Sequence, residues 1–388
     1  MTKTIPLTGA HAVSEAMRQI NPDVVAAYPI TPQSNIVEKF ATFVNNGIVD
    51  TILVTVESEH SAMSAVVGAS QCGVRAMTAT SSAGLALMWE IVGVASGLRC
   101  PIVMPIANRA LSSPINIHCD HSDSMGTRDL GCMQIYSEDG QEAYENTLLG
   151  IRLAELKDVM LPIMPCQDGF ITSHGVQNTT IYDDEAVRDF LGEYKAPFSL
   201  FDFENPITVG AIELQDYYFE TKRQQVEAME KAKKVYLDVG KELSKITGNQ
   251  YPYFEEYHTD DADAIIVTMS SAAGTTKTVV DKMRAEGKKV GLLKPRLFRP
   301  FMYDEMGEAL AGAKTVAVLD RAASFGANAP LFAEVKSSLY ELSEKPKLQS
   351  YVFGLGGRDL FDEHIESVFE KLLRGEVSGE QDYINLRE

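Results

Sequence analysis

The sequence predicts an α/β fold in which a doubly wound parallel sheet is followed by a second, smaller α/β domain. Residues 1–182 and again residues 263–375 alternate apolar runs of strand length with helix-like patterns over short connections. In the first segment, strands end abruptly in polar, turn-forming residues, as at Thr31 and just before Glu59. Only the carboxyl ends of buried parallel strands can present polar groups to a crevice. A ligand site is therefore expected at this edge of the sheet.

Local signals justify the elements of the first segment. Thr8 can cap a first helix, and Pro32 suits the first turn of a helix because its missing N–H costs nothing there. Small residues after Ser61 allow a helix to lie very close to its neighbour. In order, we expect a helix to residue 20, a strand over 24–30, a helix from 32, a strand over 51–56, a helix from 61, a strand over 74–80, a helix over 85–98, strands over 100–107 and 132–136, a helix over 141–156 and a strand over 159–165.

The remainder divides into a linker, a second domain and a tail. Residues 183–262 are rich in charged and aromatic side chains, and we expect one helix at about 216–246 in a segment wrapped on the surface. We place the domain boundaries at 1–230, a linker at 231–262, the second domain at 263–375 and a mobile or partner-bound tail at 376–388. The second domain is predicted to have strands over 264–269, 290–298, 315–319 and 348–353, and helices ending at 286, 310, 342 and 373.

Composition excludes several classes of protein. With 388 residues, 45% hydrophobic and 23% charged, the chain has the composition of a globular protein with real cores. It lacks an apolar run of about 18 residues and a secretory signal, so we expect no membrane association and a cytoplasmic location. The formal net charge of -19 argues against a nucleic-acid-binding surface.

The five cysteines form no C-x-x-C pair, which argues against an iron–sulfur or zinc site built by this chain alone. Cys119 lies in a long polar segment, residues 109–131, beside His118, Asp120 and His121. These residue types can hold a metal, or they can belong to an active-site loop whose histidines donate hydrogen bonds. The spacing matches no known ligand set and favours the loop.

Three further motifs are each open to more than one interpretation. The turn at 270–277 can cradle a phosphate or simply join a strand to a helix, and it is not a P-loop. The turn at 354–358 resembles a fragment of a dinucleotide fingerprint, but G-x-G-x-x-G is incomplete, which favours an ordinary turn. The basic run at 294–300 can bind carboxylates, phosphates or an acidic surface, including this chain's own.

Four motifs taken in order resemble those of a known family. They are Tyr28-Pro29-Ile30-Thr31-Pro32, Ser58-Glu59-His60-Ser61-Ala62, Asn108-Arg109-Ala110-Leu111 and Leu297-Phe298-Arg299-Pro300-Phe301. The set resembles the alpha subunits of the 2-oxoacid:ferredoxin oxidoreductase family, pyruvate:ferredoxin oxidoreductases among them, over nearly the whole chain. The resemblance implies that residues 1 to about 230 form a pyrimidine-binding domain for thiamine diphosphate. It also implies that residues 263–375 are similar to the C-terminal domain of transketolases.

The resemblance assigns roles to three residues at strand ends. Glu59 matches the glutamate that hydrogen-bonds N1′ of the cofactor's aminopyrimidine, where a carboxyl group can share its proton with the ring. Thr31 and Arg109 match the residues that hold the carboxylate of the 2-oxoacid, for which an arginine fork is well shaped. The residues directly before Thr31 are expected to form further cofactor contacts: Tyr28, Pro29 and Ile30.

The sequence also indicates what other chains must supply. A Gly-Asp-Gly motif followed by Asn, which binds diphosphate through Mg²⁺, is missing, as are cysteines for [4Fe–4S] clusters. We therefore expect thiamine diphosphate to be shared with a partner subunit, and Mg²⁺ and the clusters to lie in beta, gamma and delta type subunits. Coenzyme A and ferredoxin are the other expected partners.

The identity of the acid depends on the polar loop. Many relatives carry a bulkier pair where this chain has His118 and Cys119, so these residues and His121 are candidate substrate contacts. Pyruvate is the first expectation, and 2-oxoisovalerate or phenylglyoxylate is the alternative. Two further hypotheses are a non-catalytic assembly subunit and an enzyme that uses lipoyl carriers instead of ferredoxin.

Overall fold

The computed structural model describes residues 1–387, and its strands and helices alternate regularly up to residue 191. The elements of this part are β1 (Lys3–Thr8), α1 (Gly9–Ile20), β2 (Val24–Ala27), α2 (Ser34–Asn45), β3 (Ile52–Thr55), α3 (Glu59–Gln71), β4 (Ala76–Met77), α4 (Ser82–Gly97), β5 (Ile106–Asn108), α5 (Ser122–Met125), β6 (Met133–Ser137), α6 (Gly140–Ala154), β7 (Ile163–Asp168), α7 (Ile171–His174), β8 (Val176–Ile181) and α8 (Asp184–Leu191).

The remaining elements begin with a 30-residue helix, α9 (Tyr218–Thr247). They continue with β9 (Phe254–Tyr257), β10 (Ala264–Thr268), α10 (Ala272–Ala285), β11 (Val290–Pro295), β12 (Leu297–Arg299), α11 (Tyr303–Leu310), β13 (Thr315–Asp320), α12 (Pro330–Ser338), β14 (Lys347–Val352), α13 (Asp362–Leu373) and β15 (Gln381–Tyr383).

The first domain is organised by a mostly parallel sheet with the strand order β3-β2-β4-β5-β7-β6-β12. Isolated bridges, Met77 with Val103 and Thr80 with Ile106, join β4 to β5. From β2 the chain crosses to β3 on one side, whereas from β4 it crosses to β5 on the other. The sheet is therefore doubly wound, as predicted, and β2 and β4 form a topological switch point.

Local sequence explains where the helices begin. Thr8 is the N-cap of α1 and accepts a hydrogen bond from His11 N, and Ser58 caps α3 by accepting one from Ser61 N. Asp139 caps α6 in the same way. The caps fix the first turn of each helix directly after a strand or a connecting loop. For α3, this places Glu59 at the first helical position.

The second domain has a six-stranded sheet with the order β15-β14-β13-β10-β11-β9. All neighbours are parallel except β9, which runs antiparallel to β11. One buried hydrophobic cluster lies entirely within this domain, around α10 and α13, and a larger one includes residues of both domains. The two domains thus share part of their core.

The structure differs from the expected boundaries in three places. The helix expected at 216–246 is present as α9, but it runs straight through residue 230, and β9 lies inside the expected linker. The strand expected over 290–298 is two strands, of which β12 leaves its own domain and pairs with β6 of the first sheet. The tail was expected to be mobile or partner-bound, and its residues 381–383 form β15, which pairs with β14 at the edge of the second sheet.

The described residues, 1–387, include no helix that combines the length and the apolar character needed to cross a membrane.

Candidate functional site

Four adjacent strands of the first sheet, in the order β3-β2-β4-β5, bring their carboxyl ends to one edge at the switch point. Glu59 follows β3, Thr31 follows β2, Thr80 follows β4 and Arg109 follows β5. The three residues predicted to carry the chemistry therefore lie at the same edge. Tyr28, Pro29 and Ile30 form the exit of β2, and Tyr28 is 37% exposed.

Glu59 is a buried carboxylate without a charged partner. Its side chain is 6% exposed and forms no hydrogen bond or ion pair with another of the described residues. It packs against α4, where a Cβ added to Gly84 would lie 2.6 Å from Glu59 Oε1 and 2.5 Å from Thr80 Oγ1. Thr80 Oγ1 is fully buried and also has no hydrogen-bond partner. Because a buried, unpaired polar group is costly, both groups are poised for a ligand.

Arg109 joins the ends of β2 and β5. Its NH1 donates to the carbonyl oxygen of Thr31 at 2.9 Å, and its Nε donates to the carbonyl oxygen of Asn116 at 2.9 Å. The residue is 7% exposed, and no carboxylate of residues 1–387 forms a salt bridge with it. Because these hydrogen bonds use Nε and Nη1, the Nη2 donors of this buried guanidinium can still bind an anion.

Asp123 holds the two halves of this edge together. Its Oδ2 accepts hydrogen bonds from Ser82 N and Arg109 N, at 2.9 and 3.0 Å. Its Oδ1 accepts from Asn108 Nδ2 and Ser124 N. Burial raises the pKa of Asp123 to about 6, although the four N–H donors oppose the shift. The carboxylate thereby fixes the start of α4 relative to Arg109.

Cys119 and His121 of the polar loop are buried. They are 0% and 2% exposed, and His121 Nε2 lies 2.7 Å from Asp168 Oδ1, whose other oxygen accepts from Ser271 Oγ at 2.5 Å. Burial opposes ionisation of Asp168, but Arg321 and His121 outweigh it and hold the pKa of Asp168 well below its usual range. Cys119 and His121 therefore present no surface to a substrate and instead connect the loop to the second domain.

A cation is poorly suited to this cluster. Ligand atoms of Cys119, His121 and Asp168 lie within 4.8 Å of one another, as in a metal site. However, Arg321 Nε is already 3.8 Å from Asp168, and Asp168 is shared by His121 and Ser271. These contacts favour the interpretation of a hydrogen-bonded loop.

His118 is the exposed member of the loop. Its ring lies 4.9 Å from that of Phe170, which lies 4.7 Å from that of His174. The rings are tilted by 36° and 32° in the two contacts, and His174 is hydrogen-bonded to Asn35 on α2. Of the three predicted loop contacts, His118 alone has a side chain that a ligand could reach without rearrangement of the loop.

The remaining motifs have structural contacts. In the turn at 270–277, the Ser271 hydroxyl donates a hydrogen bond to Asp168, and Lys277 forms a salt bridge with Glu138 at 2.8 Å. At the turn 354–358, a side chain on Gly356 or Gly357 would overlap Asn116 or His118, so this turn is a packing contact against the polar loop. In the basic run, Lys294 and Arg296 pair with acidic residues of this chain, one of the predicted alternatives.

Asp123, Thr80 and Gly84 were not predicted from the sequence as parts of the site. Gly84 carried a signal, since a glycine inside a helical pattern is unfavourable relative to alanine and can indicate a close approach. Asp123 and Thr80 carried none, because their roles depend on contacts between separate loops.

Models of two known families match the chain. Residues 15–241 match the thiamine diphosphate-binding family of pyruvate flavodoxin/ferredoxin oxidoreductases, and residues 262–365 match core domain II of pyruvate:ferredoxin oxidoreductase. Together, these matches cover every strand of the first sheet and four of the six strands of the second.

Curated relatives cover nearly the entire chain. Pyruvate synthase subunit PorA of Thermotoga maritima is 56% identical over 100% of this chain and 99% of its own. The subunit of the same name from Methanocaldococcus jannaschii is 47% identical over 95% of each chain. Ketoisovalerate oxidoreductase subunit VorA of Pyrococcus abyssi is 42% identical over 97% of this chain and 95% of its own.

Two solved structures share the fold. A 2-oxoglutarate:ferredoxin oxidoreductase from Magnetococcus marinus has a TM-score of 0.74 at 22% identity, covering 95% of this chain and 65% of its own. A split gene transketolase has a TM-score of 0.54 at 10% identity, covering 95% of this chain and 98% of its own. At such identities, the likeness bears on the fold alone.

Proposed function

This chain belongs to the pyruvate flavodoxin/ferredoxin oxidoreductase family, and from that premise we propose that it is the alpha subunit of a pyruvate:ferredoxin oxidoreductase. The reaction is the oxidative decarboxylation of pyruvate with coenzyme A to acetyl-CoA, carbon dioxide and reduced ferredoxin, or its reverse given a strong reductant. One observation carries the proposal: a buried carboxylate, Glu59, and a buried guanidinium, Arg109, lie at one sheet edge without ionic partners among residues 1–387.

The residues around Glu59 suit the aminopyrimidine of thiamine diphosphate. When bound, that cofactor would supply the nucleophilic carbon for the reaction. Glu59 holds the ring nitrogen N1′ and keeps or gives up a proton at its carboxylate oxygen. Thr80 Oγ1, buried and without a partner, offers one more hydrogen bond at the same place. The absence of a side chain at Gly84 leaves room for Glu59 to adopt this position.

Arg109 and Thr31 bind the carboxylate of the acid. Two hydrogen bonds to carbonyl oxygens hold the guanidinium in place, so its remaining donors are oriented before the acid arrives. The carboxylate leaves as carbon dioxide, so this contact orients the acid without stabilising the bound acid more than the transition state.

Other subunits complete the enzyme. Beta, gamma and delta type subunits supply the diphosphate and Mg²⁺ site, the [4Fe–4S] clusters and much of the coenzyme A site, and ferredoxin accepts the electrons. We place the complex in the cytoplasm. Iron analysis and an absorption spectrum of the complex isolated without oxygen test this assignment. A complex without iron would instead support lipoyl carriers.

A second candidate function is the same reaction with a different 2-oxoacid as substrate. The similarity to a ketoisovalerate oxidoreductase subunit and the exposed ring of His118 favour testing 2-oxoisovalerate, and phenylglyoxylate tests an aromatic acid. The purified complex is assayed against the three acids side by side. We expect the highest kcat/KM with pyruvate, and the slowest turnover with pyruvate would overturn that choice.

A third candidate function is that of a non-catalytic assembly subunit. The buried Glu59 and Arg109 argue against it, because an assembly subunit needs neither residue.

Arg109→Lys is expected to raise the KM for the 2-oxoacid about 10- to 100-fold, with a smaller change in the KM for coenzyme A. Lysine is a point charge that cannot donate to Thr31 O, Asn116 O and a carboxylate together, and a hydrogen bond to a charged group contributes about 1.5–3 kcal/mol. Steady-state kinetics of the complex measure both constants. Arg99→Lys is the matched control, because the Arg99 fork also binds two carbonyl oxygens but lies elsewhere. Equal KM values for Arg109→Lys and the unmodified complex would contradict the assignment.

Gly84→Ala is expected to weaken thiamine diphosphate binding at least ~10-fold and to lower the melting temperature slightly. The new Cβ overlaps the Glu59 carboxylate and Thr80 Oγ1, and overpacking of about 1–3 kcal/mol outweighs the preference of about 1 kcal/mol for alanine over glycine within a helix. Titration of the cofactor-free complex with cofactor and a thermal melt separate the two effects. Gly68→Ala on α3 is the control, since no atom lies within 4 Å of its added Cβ. Unchanged cofactor affinity in Gly84→Ala would show that Glu59 tolerates displacement.

A further inference from the structure

Residues 200–217, which we call the arm, are an exposed segment without helix or strand between α8 and α9. Its base is attached to the end of α3, where Ser199 Oγ donates to Cys72 O and Leu200 N donates to Gln71 O. Beyond this base the arm exposes large apolar side chains: Phe201, Phe203, Ile207, Val209, Ile212, Leu214 and Tyr217. Phe203 and Ile212 are 83% and 93% exposed. An apolar surface of this kind is typical of a segment that docks on another chain.

The charge of the arm defines what it can bind. Its four charged residues are all acidic: Asp202, Glu204, Glu213 and Asp216. No lysine, arginine or histidine lies between residues 196 and 221. The arm is therefore both aromatic and acidic, and a complementary surface must be apolar with a basic rim.

The same chain has such a surface, a groove of about 810 Å³ between α4, α9 and the residues after β12. Its apolar lining includes Trp89, Met229 and Phe301. Its charged side chains are four basic and two acidic residues, so the lining has a net positive charge: Arg128, Lys222, Lys233, Arg299, Asp129 and Glu230. Trp89 is 51% exposed, and its indole N–H donates to Gly126 O, which fixes the orientation of the ring. A fixed, half-exposed tryptophan is a typical anchor of an interface.

Two basic residues of the groove remain available for a partner. Lys233 pairs with Glu305 at 2.8 Å and Arg299 with Glu334 at 2.6 Å. In contrast, Lys222 forms no salt bridge with a described residue, and Arg128 has only Asp129, at 3.6 Å. These two cations are the complement that an acidic arm requires.

We propose that the arm of one copy of this chain occupies the groove of a second copy, and that the exchange is reciprocal. The arm leads directly into α9, which forms one wall of the groove. A two-fold axis near the beginning of α9 would therefore bring each arm to the opposite groove and bury both apolar surfaces. The assembly goes beyond the catalytic proposal, because it uses none of the residues at the sheet edge.

Photocrosslinking tests the contact. Phe203→p-benzoylphenylalanine is introduced into the full chain, and the complex is assembled from equal amounts of ¹⁴N- and ¹⁵N-labelled chains. We expect crosslinks between an arm of one label and a groove peptide of the other, containing Trp89, Arg128 or Tyr303. Crosslinks confined to a single copy, or to a different subunit, would overturn the proposal.

Association of the full chain provides an independent test by analytical ultracentrifugation. The double variant Phe201→Ser with Phe203→Ser, and separately Lys222→Glu, should each raise the dimer dissociation constant at least ~10-fold. The controls are Phe325→Ser, at a residue that is 99% exposed in the second domain, and Lys347→Glu, at an exposed lysine. Unchanged association in the arm and groove variants, or a full chain that is monomeric at micromolar concentration, would overturn the proposal. These readouts do not involve turnover, so they are independent of the proposed reaction.

Discussion

Glu59→Gln is expected to lower the turnover of the assembled enzyme at least ~100-fold while leaving its subunit composition unchanged. Glutamine keeps the size and hydrogen-bonding ability of the side chain but cannot bind and release a proton, and proton transfer by a positioned side chain contributes about 10²–10⁴-fold. The carboxylate forms no hydrogen bond or salt bridge with residues 1–387, so its replacement breaks no contact that supports the fold.

The measurement compares kcat with the native mass of the complex. Glu57→Gln is a closely matched control, because Glu57 lies in the same turn but is exposed and contacts only the Ser61 hydroxyl. We expect the control to retain full turnover. If Glu59→Gln were as active as Glu57→Gln, the carboxylate would have no part in the chemistry, and the sheet edge would be a binding surface only.

The fold class and the site edge could be predicted because both depend on local sequence. An apolar run that ends in polar residues specifies where a buried strand leaves the sheet, and all four strand ends at the switch point follow this pattern. The alignment of Glu59, Thr31 and Arg109 then follows from parallel strand topology. The contact between Arg109 and the Thr31 carbonyl oxygen could not be predicted from the sequence. Every residue has a backbone carbonyl group, so the residue type does not indicate which carbonyl oxygen accepts a hydrogen bond.

Features that depend on contacts between distant segments of the chain could not be predicted from the sequence. Cys119 and His121 belong to a polar loop that the pattern marks as functional, but their burial is caused by Asp168 and Arg321, which are remote in the chain. Likewise, β12 continues an apolar strand in the sequence and changes sheets only because β6 offers it an open edge. The periodicity of apolar residues indicates which residues are buried, but it does not indicate which other residues they pack against.

The basic run at 294–300 illustrates the same point, because its partners lie far away in the chain. Lys294 is 1% exposed, and its Nζ lies 2.6 Å from Glu138, 2.8 Å from Glu142 and 2.8 Å from Glu255. Glu138 and Glu142 precede or belong to α6 of the first domain, whereas Lys294 is on β11 of the second. This network therefore fixes the two domains relative to each other.

Lys294→Met is expected to lower the free energy of unfolding by about 3–5 kcal/mol at pH 7. Among residues 1–387, Glu138, Glu142 and Glu255 then retain only Lys277 and Arg296 as cationic partners, so one negative charge of the network is left uncompensated. Urea denaturation followed by circular dichroism measures the loss. Adding Glu138→Gln to Lys294→Met should restore part of the stability, since it rebalances the charge. Lys282→Met, which removes an exposed pair with Glu366, should change the midpoint little.

The pH dependence of this variant gives a second, independent readout. Burial disfavours the charged form of Glu142, but Arg296 and Lys294 outweigh it and lower its pKa to about 2. Because the folded-state pKa is below the unfolded value of about 4.3, Glu142 stabilises the unmodified chain above that pH, and the contribution is lost as the pH falls toward 2. Without Lys294 the folded-state pKa rises, so the stability difference between the two proteins should shrink from pH 7 to pH 4. A difference that stays constant over this range would mean that Lys294 stabilises the chain by packing and not by its charge.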